Sequence, residues 1–257
     1  MTLINIGSLS FEYTKGNIIL NNISAKIEEN SINVILGLNG CGKTTLIKLL
    51  AGLMKQQSGV INVAGKPVLA MTDHERSKLI SYVPQVISSR IAFTVAEYLL
   101  LALSNQKSFL WRSSHADKKK VKEFASHFSI SREMLDQRVD ELSGGQRQIV
   151  MICGAVMQDS KIIILDEPTA ALDLKNQHLV LKFLKQCKKD GNKTIIFTCH
   201  DPNHALRLGG NTIALHHGEI FLQGESREIL KAENLQEIYG SVVDAKDSKY
   251  NFITFDW

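Results

Sequence analysis

The stretch GLNGCGKT, residues 37–44, meets the pattern G-x-x-x-x-G-K-[ST] at every fixed position. Glycines at this spacing let consecutive backbone N–H groups turn inward around phosphate oxygens, and the N-terminus of a following helix adds its positive end. On that chemistry Lys43 reaches the β- and γ-phosphates of a nucleoside triphosphate, and the Thr44 hydroxyl reaches Mg²⁺. Gly37, Asn39, Gly40, Cys41, Gly42, Lys43, Thr44 and Thr45 are therefore the expected ATP contacts. Cys41 has two readings. A helix N-terminus lowers a thiol pKa and would make the site thiol-sensitive; alternatively Cys41 is a small residue that fits the loop.

A second constellation, IIILDE at 162–167, ends an apolar run on two carboxylates. A buried strand delivers Asp166 to its end, where it can bind Mg²⁺ directly or through water. Glu167 follows, placed to orient and polarise a water attacking the γ-phosphate. Alone, Asp-Glu after an apolar run also marks an ordinary strand end. Beside a phosphate loop it reads as catalytic.

These groups need a strand before the glycine loop and a helix after it. INVIL (32–36) is a short β-rich run that stops at Gly37, and KTTLIKLLAGL spaces Leu46, Leu49, Leu50 and Leu53 as a helix does. LINIGSLSFEY and NNISAKIEE are strand-like with mixed alternation, joined by the turn TKGN, and GVINVAGKPV reads as a hairpin. From about 86 to 158 helical periodicity dominates, which predicts an inserted helical subdomain. Strands return with KIIILDEP and KTIIFTCHD, separated by a helix through QHLVLKFLKQCKK, so the core is α/β with buried parallel strands. TIALHHGEIFLQGE predicts a hairpin turning at His217–Gly218. SREILKAENLQEIYG begins helical, and KYNFITFDW alternates like a short strand.

At 257 residues, 44% hydrophobic and 22% charged, the chain supports a substantial core and falls outside the disordered and fibrous classes. A net charge of +4, from 30 basic against 26 acidic residues, is modest for a nucleic-acid binder, and no nucleic-acid partner is expected. The basic run DKKKVK at 117–122 reads as a solvated helix face. Cys41, Cys153, Cys187 and Cys199 form no CxxC pair, which argues against structural zinc and for reduced thiols in the cytosol. The N-terminus lacks a signal-peptide layout. The longest apolar run, AEYLLLAL, is far short of the roughly 20 residues that span a bilayer.

LSGGQ at 142–146 remains unexplained by a single ATP site that already has a phosphate loop. Placed before LDEP, it resembles the signature of ATP-binding-cassette (ABC) ATPases. The other family elements occur in order: Tyr13, the phosphate loop, VPQ with Gln85, IIILDEP, ALD with Asp173 and TCHD with His200. The resemblance runs across nearly the whole chain. It implies a P-loop NTPase core with an N-terminal antiparallel β subdomain and an inserted helical subdomain. The implied division is core 1–86 and 159–225, helical subdomain 87–158, and C-terminal tail 226–257. It also implies that Tyr13 stacks on adenine, that Gln85 contacts Mg²⁺ or the lytic water, and that His200 hydrogen-bonds the γ-phosphate.

Relatives of this kind act as head-to-tail dimers. The resemblance therefore implies that Ser143, Gly144, Gly145 and Gln146 form a stretch that binds ATP held by the other copy's Lys43 loop, with Ser143 and Gly145 on the γ-phosphate. Asp173 would lie at the same interface. His216 and His217 match no family element and read as a solvated turn rather than a metal pair. Gly154 departs from the family pattern, and a mid-helix glycine costs up to about 1 kcal/mol against alanine.

GKPVLAMTDHERSKLISYVPQ, FTVAEYLLLAL and ENLQEIYG are similar to stretches of the importers of metal chelates, haem or cobalamin. That likeness implies separate integral membrane permease subunits docking near Gln85, and indirectly a periplasmic or surface substrate-binding protein. It implies peripheral attachment at the cytoplasmic face of the inner membrane. The alternatives are a soluble ABC ATPase of DNA repair or translation, or the ATPase of an exporter.

Overall fold

A computed structural model describes residues 1–85, 91–105, 107, 112–240, 243–244 and 254–255. The expected boundary at 86/87 and most of KYNFITFDW lie outside them.

The amino-terminal strands β1 (Thr2–Glu12) and β2 (Ile18–Glu28) pair antiparallel, and β1 pairs antiparallel with β4 (Ser58–Val63), which turns back into β5 (Lys66–Pro67). The mixed alternation of β1 has a local cause. Its register against β2 shifts between Ile6 and Leu9, where Ser8 takes a left-handed φ of 47°. Such an irregularity resets which side chains face inward.

The second sheet has the order β10-β9-β3-β8-β7-β6, from β3 (Ile32–Leu36), β6 (Ile80–Val83), β7 (Ile162–Leu165), β8 (Thr194–Cys199), β9 (Asn211–His216) and β10 (Glu219–Glu225). All neighbours are parallel except the β9–β10 hairpin. Its turn uses His217 at φ 47° and Gly218 at φ 79°, the left-handed pair that a two-residue hairpin needs. Because strand side chains alternate, each central strand feeds two cores. Ile163, Leu165, Ile195 and Phe197 face one. Ile162, Ile164 and Ile196 face the other, packed against the antiparallel sheet and α1 (Lys43–Leu50).

Between β5 and β7 come α2 (Asp73–Leu79), α3 (Val95–Ser104), α4 (His115–His127), α5 (Arg132–Leu135) and α6 (Gly144–Met157). Thr72, Thr94, Ser114 and Ser143 start four of these helices with reciprocal capping boxes, as their S/T-x-x-E/D/Q spacing allows. Lysines 118, 119, 120 and 122 of α4 are all exposed. After β7 come α7 (Leu174–Gly191), α8 (Pro202–Leu208), α9 (Ser226–Ile229) and α10 (Ala232–Tyr239), and a short pair, β11 (Val243–Asp244) with β12 (Thr254–Phe255). SREILKAENLQEIYG thus begins helical, as expected, and continues into a second helix.

Two sequence expectations change here. Leu53 lies beyond α1 and is 54% exposed, because the chain leaves the helix after Leu50 and turns at Gly52 with φ 66°. Gly154 is not merely a weak point in α6. A Cβ there would stand 2.6 Å from Cε1 of Tyr98 on α3, so the missing side chain admits the tyrosine ring. Helix propensity favours alanine by up to about 1 kcal/mol, whereas overpacking a filled core costs about 1–3 kcal/mol. Gly154→Ala is therefore expected to lower the melting temperature. A thermal unfolding scan checks this, and an unchanged or raised midpoint removes the packing explanation.

Candidate active site

Register alone brings the sequence motifs together. Leu36 pairs with Cys199, Leu165 with Phe197, and Val83 with Leu165. The residues just past these strand ends are Gly37, His200, Asp166 with Glu167, and Gln85. They meet at the carboxyl edge of the sheet, where open α/β sheets bind ligands.

The glycine loop runs from β3 into α1. Gly42 caps α1 at φ 104°, a conformation few other residues adopt, and a Cβ there would meet Leu20 at 2.7 Å. Lys43 is only 4% exposed, and its Nζ donates to the carbonyls of Gly37 at 2.9 Å and Leu38 at 3.0 Å. It also faces Glu167 Oε1 at 3.3 Å. A buried ammonium is stable only when paired in this way.

Glu167 gathers the remaining groups. Gln85 Nε2 donates to its Oε2 at 3.0 Å, and His200 Nδ1 lies 3.7 Å from the same oxygen. Its backbone is left-handed at φ 42°, an uncommon and costly state outside glycine that marks functional sites. Thr198 holds this geometry. Its hydroxyl accepts from the Glu167 N–H at 2.8 Å and donates to Asp166 Oδ1 at 2.8 Å, and the residue is fully buried. Sequence reasoning passed over Thr198. The available signal was a polar β-branched residue in the apolar run TIIFTC.

Thr44 Oγ1 also donates to Asp166 Oδ1, at 3.1 Å. Burial pushes the Asp166 carboxyl above its ordinary range, and the Thr198 and Thr44 hydroxyls oppose that. A buried carboxylate beside a hydroxyl, with a side-chain amide across the cavity, is an all-oxygen set that suits Mg²⁺. No cluster of three or more His, Cys, Asp or Glu residues that would suit a softer metal occurs among the described residues.

Tyr13, Ile19, Asn39, Gly40, Gly42, Lys43, Thr44, Thr45, Gln85 and Glu167 line one open cavity of about 390 Å³. Tyr13 stands at its mouth, 56% exposed, its hydroxyl 3.2 Å from Thr45 Oγ1 and its ring edge-on to Phe11. A larger cleft of about 610 Å³, lined by apolar Phe124, Phe183 and Leu179 among others, holds none of these groups. The surroundings favour Cys41 as a small residue that fits the loop over a thiol-sensitive one. The side chain is half-buried, and burial pushes its thiol up, outweighing the lowering by Lys43. Cys41 packs beside Gly37 instead.

Ser143, Gly144, Gly145, Gln146 and Asp173 do not line the cavity. Ser143 accepts from the Gln146 N–H at 3.3 Å, and Gln146 Oε1 accepts from the Ser143 N–H at 3.1 Å, so the pair starts α6. Arg147 fixes the preceding segment by donating to the carbonyls of Val139, Asp140 and Leu142. Asp173 starts α7 by accepting from the Asn176 N–H at 2.8 Å. The two stretches are neighbours, since a Cβ on Gly145 would stand 3.1 Å from the Ala171 carbonyl. Ser143 and Gly144 are exposed to solvent.

A parallel sheet whose strands end on a phosphate loop and an acidic pair is the architecture of P-loop nucleotide hydrolases. The ABC transporter family profile matches residues 20–170. An iron chelatin transport ATP-binding protein of Helicobacter pylori is 34% identical over 246 residues, covering 95% of each chain. Among solved structures, a metal-chelate type ABC transporter in an inward-facing conformation matches with a TM-score of 0.76 at 30% identity, covering 93% of this chain and 89% of that one. The dimeric structure of MJ0796, a bacterial ABC transporter cassette, matches with a TM-score of 0.79 at 26% identity, over 87% and 99% of the two chains. The chain belongs to the ABC transporter family, as an ATP-binding, ATP-hydrolysing subunit with the mixed α/β cassette fold.

Proposed function

We propose that this chain is the ATPase of a bacterial importer, closing on a second copy when ATP binds and driving a separate membrane permease for a metal chelate. The observation that carries the catalytic part is Glu167 facing Lys43, Gln85 and His200 at the edge of one cavity. Lys43 binds the β- and γ-phosphates in place of the carbonyls and carboxylate that now hold it. The amides of the 37–45 loop, Asn39 and Thr45 among them, cradle the remaining phosphate oxygens, and Tyr13 stacks on adenine. Thr44, Asp166 and Gln85 would hold Mg²⁺, which neutralises charge on the phosphate oxygens when bound. Glu167 accepts the proton of the attacking water, and His200 hydrogen-bonds the γ-phosphate.

Ser143, Gly144, Gly145 and Gln146 complete the partner copy's site, with Asp173 at the same interface. The exposure of Ser143, Gly144, Gln146 and Asp173 outside the cavity is the geometry such a trans role requires. A contact made only in the closed pair is differential between open and closed states, which is how ATP can shift that equilibrium. In this reading 1–86 and 159–225 act as the core, 87–158 as the helical subdomain and 226–257 as the tail. The protein works at the cytoplasmic face of the inner membrane, with a substrate-binding protein engaged only through the permease. No helix of the described residues is long and apolar enough to cross a membrane.

The chelate assignment is supported by the H. pylori relative and the metal-chelate type structure. Affinity purification from detergent-solubilised cells tests the transport part. A multi-span membrane protein is expected to co-purify at near-stoichiometric amounts. Recovery with ribosomes or DNA instead assigns the chain to the soluble branch of the family.

A further inference from the structure

The tail contributes to the site. Helix α10 buries Leu235 and Ile238 on one face and ends at Gly240, whose φ of 80° stops the helix directly after Tyr239. Asn234 Nδ2 ties α10 to the Ile229 carbonyl at the end of α9. The other end of α9 is fixed to β9, because Ser226 Oγ lies 2.8 Å from Thr212 Oγ1 and donates to the Gly210 carbonyl. A continuous set of contacts therefore sets where Tyr239 stands. From there its hydroxyl donates to the backbone carbonyl of His200 at 2.8 Å.

His200 lies between two anchored neighbours. Cys199 ends β8 and is buried, while Asp201 caps α8 by accepting from the Asn203 N–H at 2.8 Å. The histidine side chain between them is half exposed, with Nδ1 3.7 Å from Glu167 Oε2. Burial pushes the Tyr239 phenol up, so it remains a protonated donor throughout the neutral range.

We propose that Tyr239 is a positioning residue for His200: its hydroxyl fixes the His200 backbone so that the imidazole reaches the γ-phosphate without first being ordered. This inference rests on the reading of His200 as a γ-phosphate contact. It gives the tail a part in turnover, through a residue that does not line the cavity. A misplaced catalytic group loses rate more than affinity, because orientation counts chiefly in the transition state.

Steady-state ATP hydrolysis by the full chain tests it, using Tyr239→Phe, His200→Ala and the double variant. Tyr239→Phe keeps the ring and removes the hydroxyl that donates to the His200 carbonyl. It is expected to lower kcat about three- to ten-fold at unchanged KM and an almost unchanged melting temperature. The residual turnover of His200→Ala is expected to be the same with Tyr or Phe at 239, since coupled residues act as a unit. Unchanged kcat in Tyr239→Phe, with His200→Ala inactive, overturns the inference and leaves the His200 reading standing. Equal losses in both backgrounds, or a raised KM, assign Tyr239 a structural role and also overturn it. Normal hydrolysis by His200→Ala removes the His200 reading, and the inference with it. If the Phe variant unfolds, hydrogen exchange on the intact wild-type chain decides. Slow exchange at 199–201, lost in full-length Asn234→Ala, which frees α10 from the Ile229 carbonyl while α1 stays protected, supports the inference, and unchanged exchange there overturns it.

Discussion

Glu167→Gln is expected to bind ATP as the unchanged chain does and to lose about 10²–10⁴-fold in turnover, the range attributed to a positioned general base. The substitution keeps size, the left-handed backbone and an oxygen able to accept from Gln85 Nε2. Lys43 loses its carboxylate but keeps the Gly37 and Leu38 carbonyls, so the loop should retain its shape. What disappears is the only group among those lining the cavity able to take a proton from water and hold it as a carboxylic acid. Fluorescent-nucleotide titration and phosphate release separate the two effects. Hydrolysis near the level of the unchanged chain would falsify the assignment of Glu167 as base.

Ser143→Arg has the second large expected effect, on assembly rather than on chemistry. In the isolated chain the hydroxyl caps α6, and losing that cap costs about 1 kcal/mol, which a folded domain of this size tolerates. In the ATP-closed pair Ser143 would face the partner's phosphates, where a long side chain prevents close approach of the two copies. The variant should bind nucleotide as a monomer and form no dimer with ATP, even with Glu167→Gln present to stop hydrolysis. Light scattering coupled to size exclusion reads this directly. A dimer peak equal to that of Glu167→Gln alone would remove Ser143 from the interface.

The amide-lined loop at 37–44 and the Asp166–Glu167 pair were legible because their chemistry is contiguous. Within each run the covalent chain keeps the groups together, and flanking strand and helix patterns confirm the context, while strand register brings the two runs to one edge. The antiparallel sheet, the parallel strands other than β6, the helices α3 to α6 and the His217–Gly218 turn followed from periodicity and turn chemistry for the same local reason. Sequence spacing misjudged Leu53 because helical periodicity does not record where a left-handed glycine breaks the helix. It left two readings of Cys41 because the helix-end effect on a thiol is local, whereas desolvation depends on what packs over it.

Residue types and order were thus enough to establish an ATP-hydrolysing cassette and to nominate its phosphate, metal and water-activating groups. Tertiary structure decided which groups hold them there. Thr198 joins Asp166 to the Glu167 backbone across 31 residues, through strand register. Gly154 makes room for Tyr98 from another helix. Tyr239 reaches His200 across 39 residues, through two short helices anchored on β9. Each of these joins elements far apart in the chain, by strand register or by helix packing, and a contact of that kind leaves no spacing in the sequence to read.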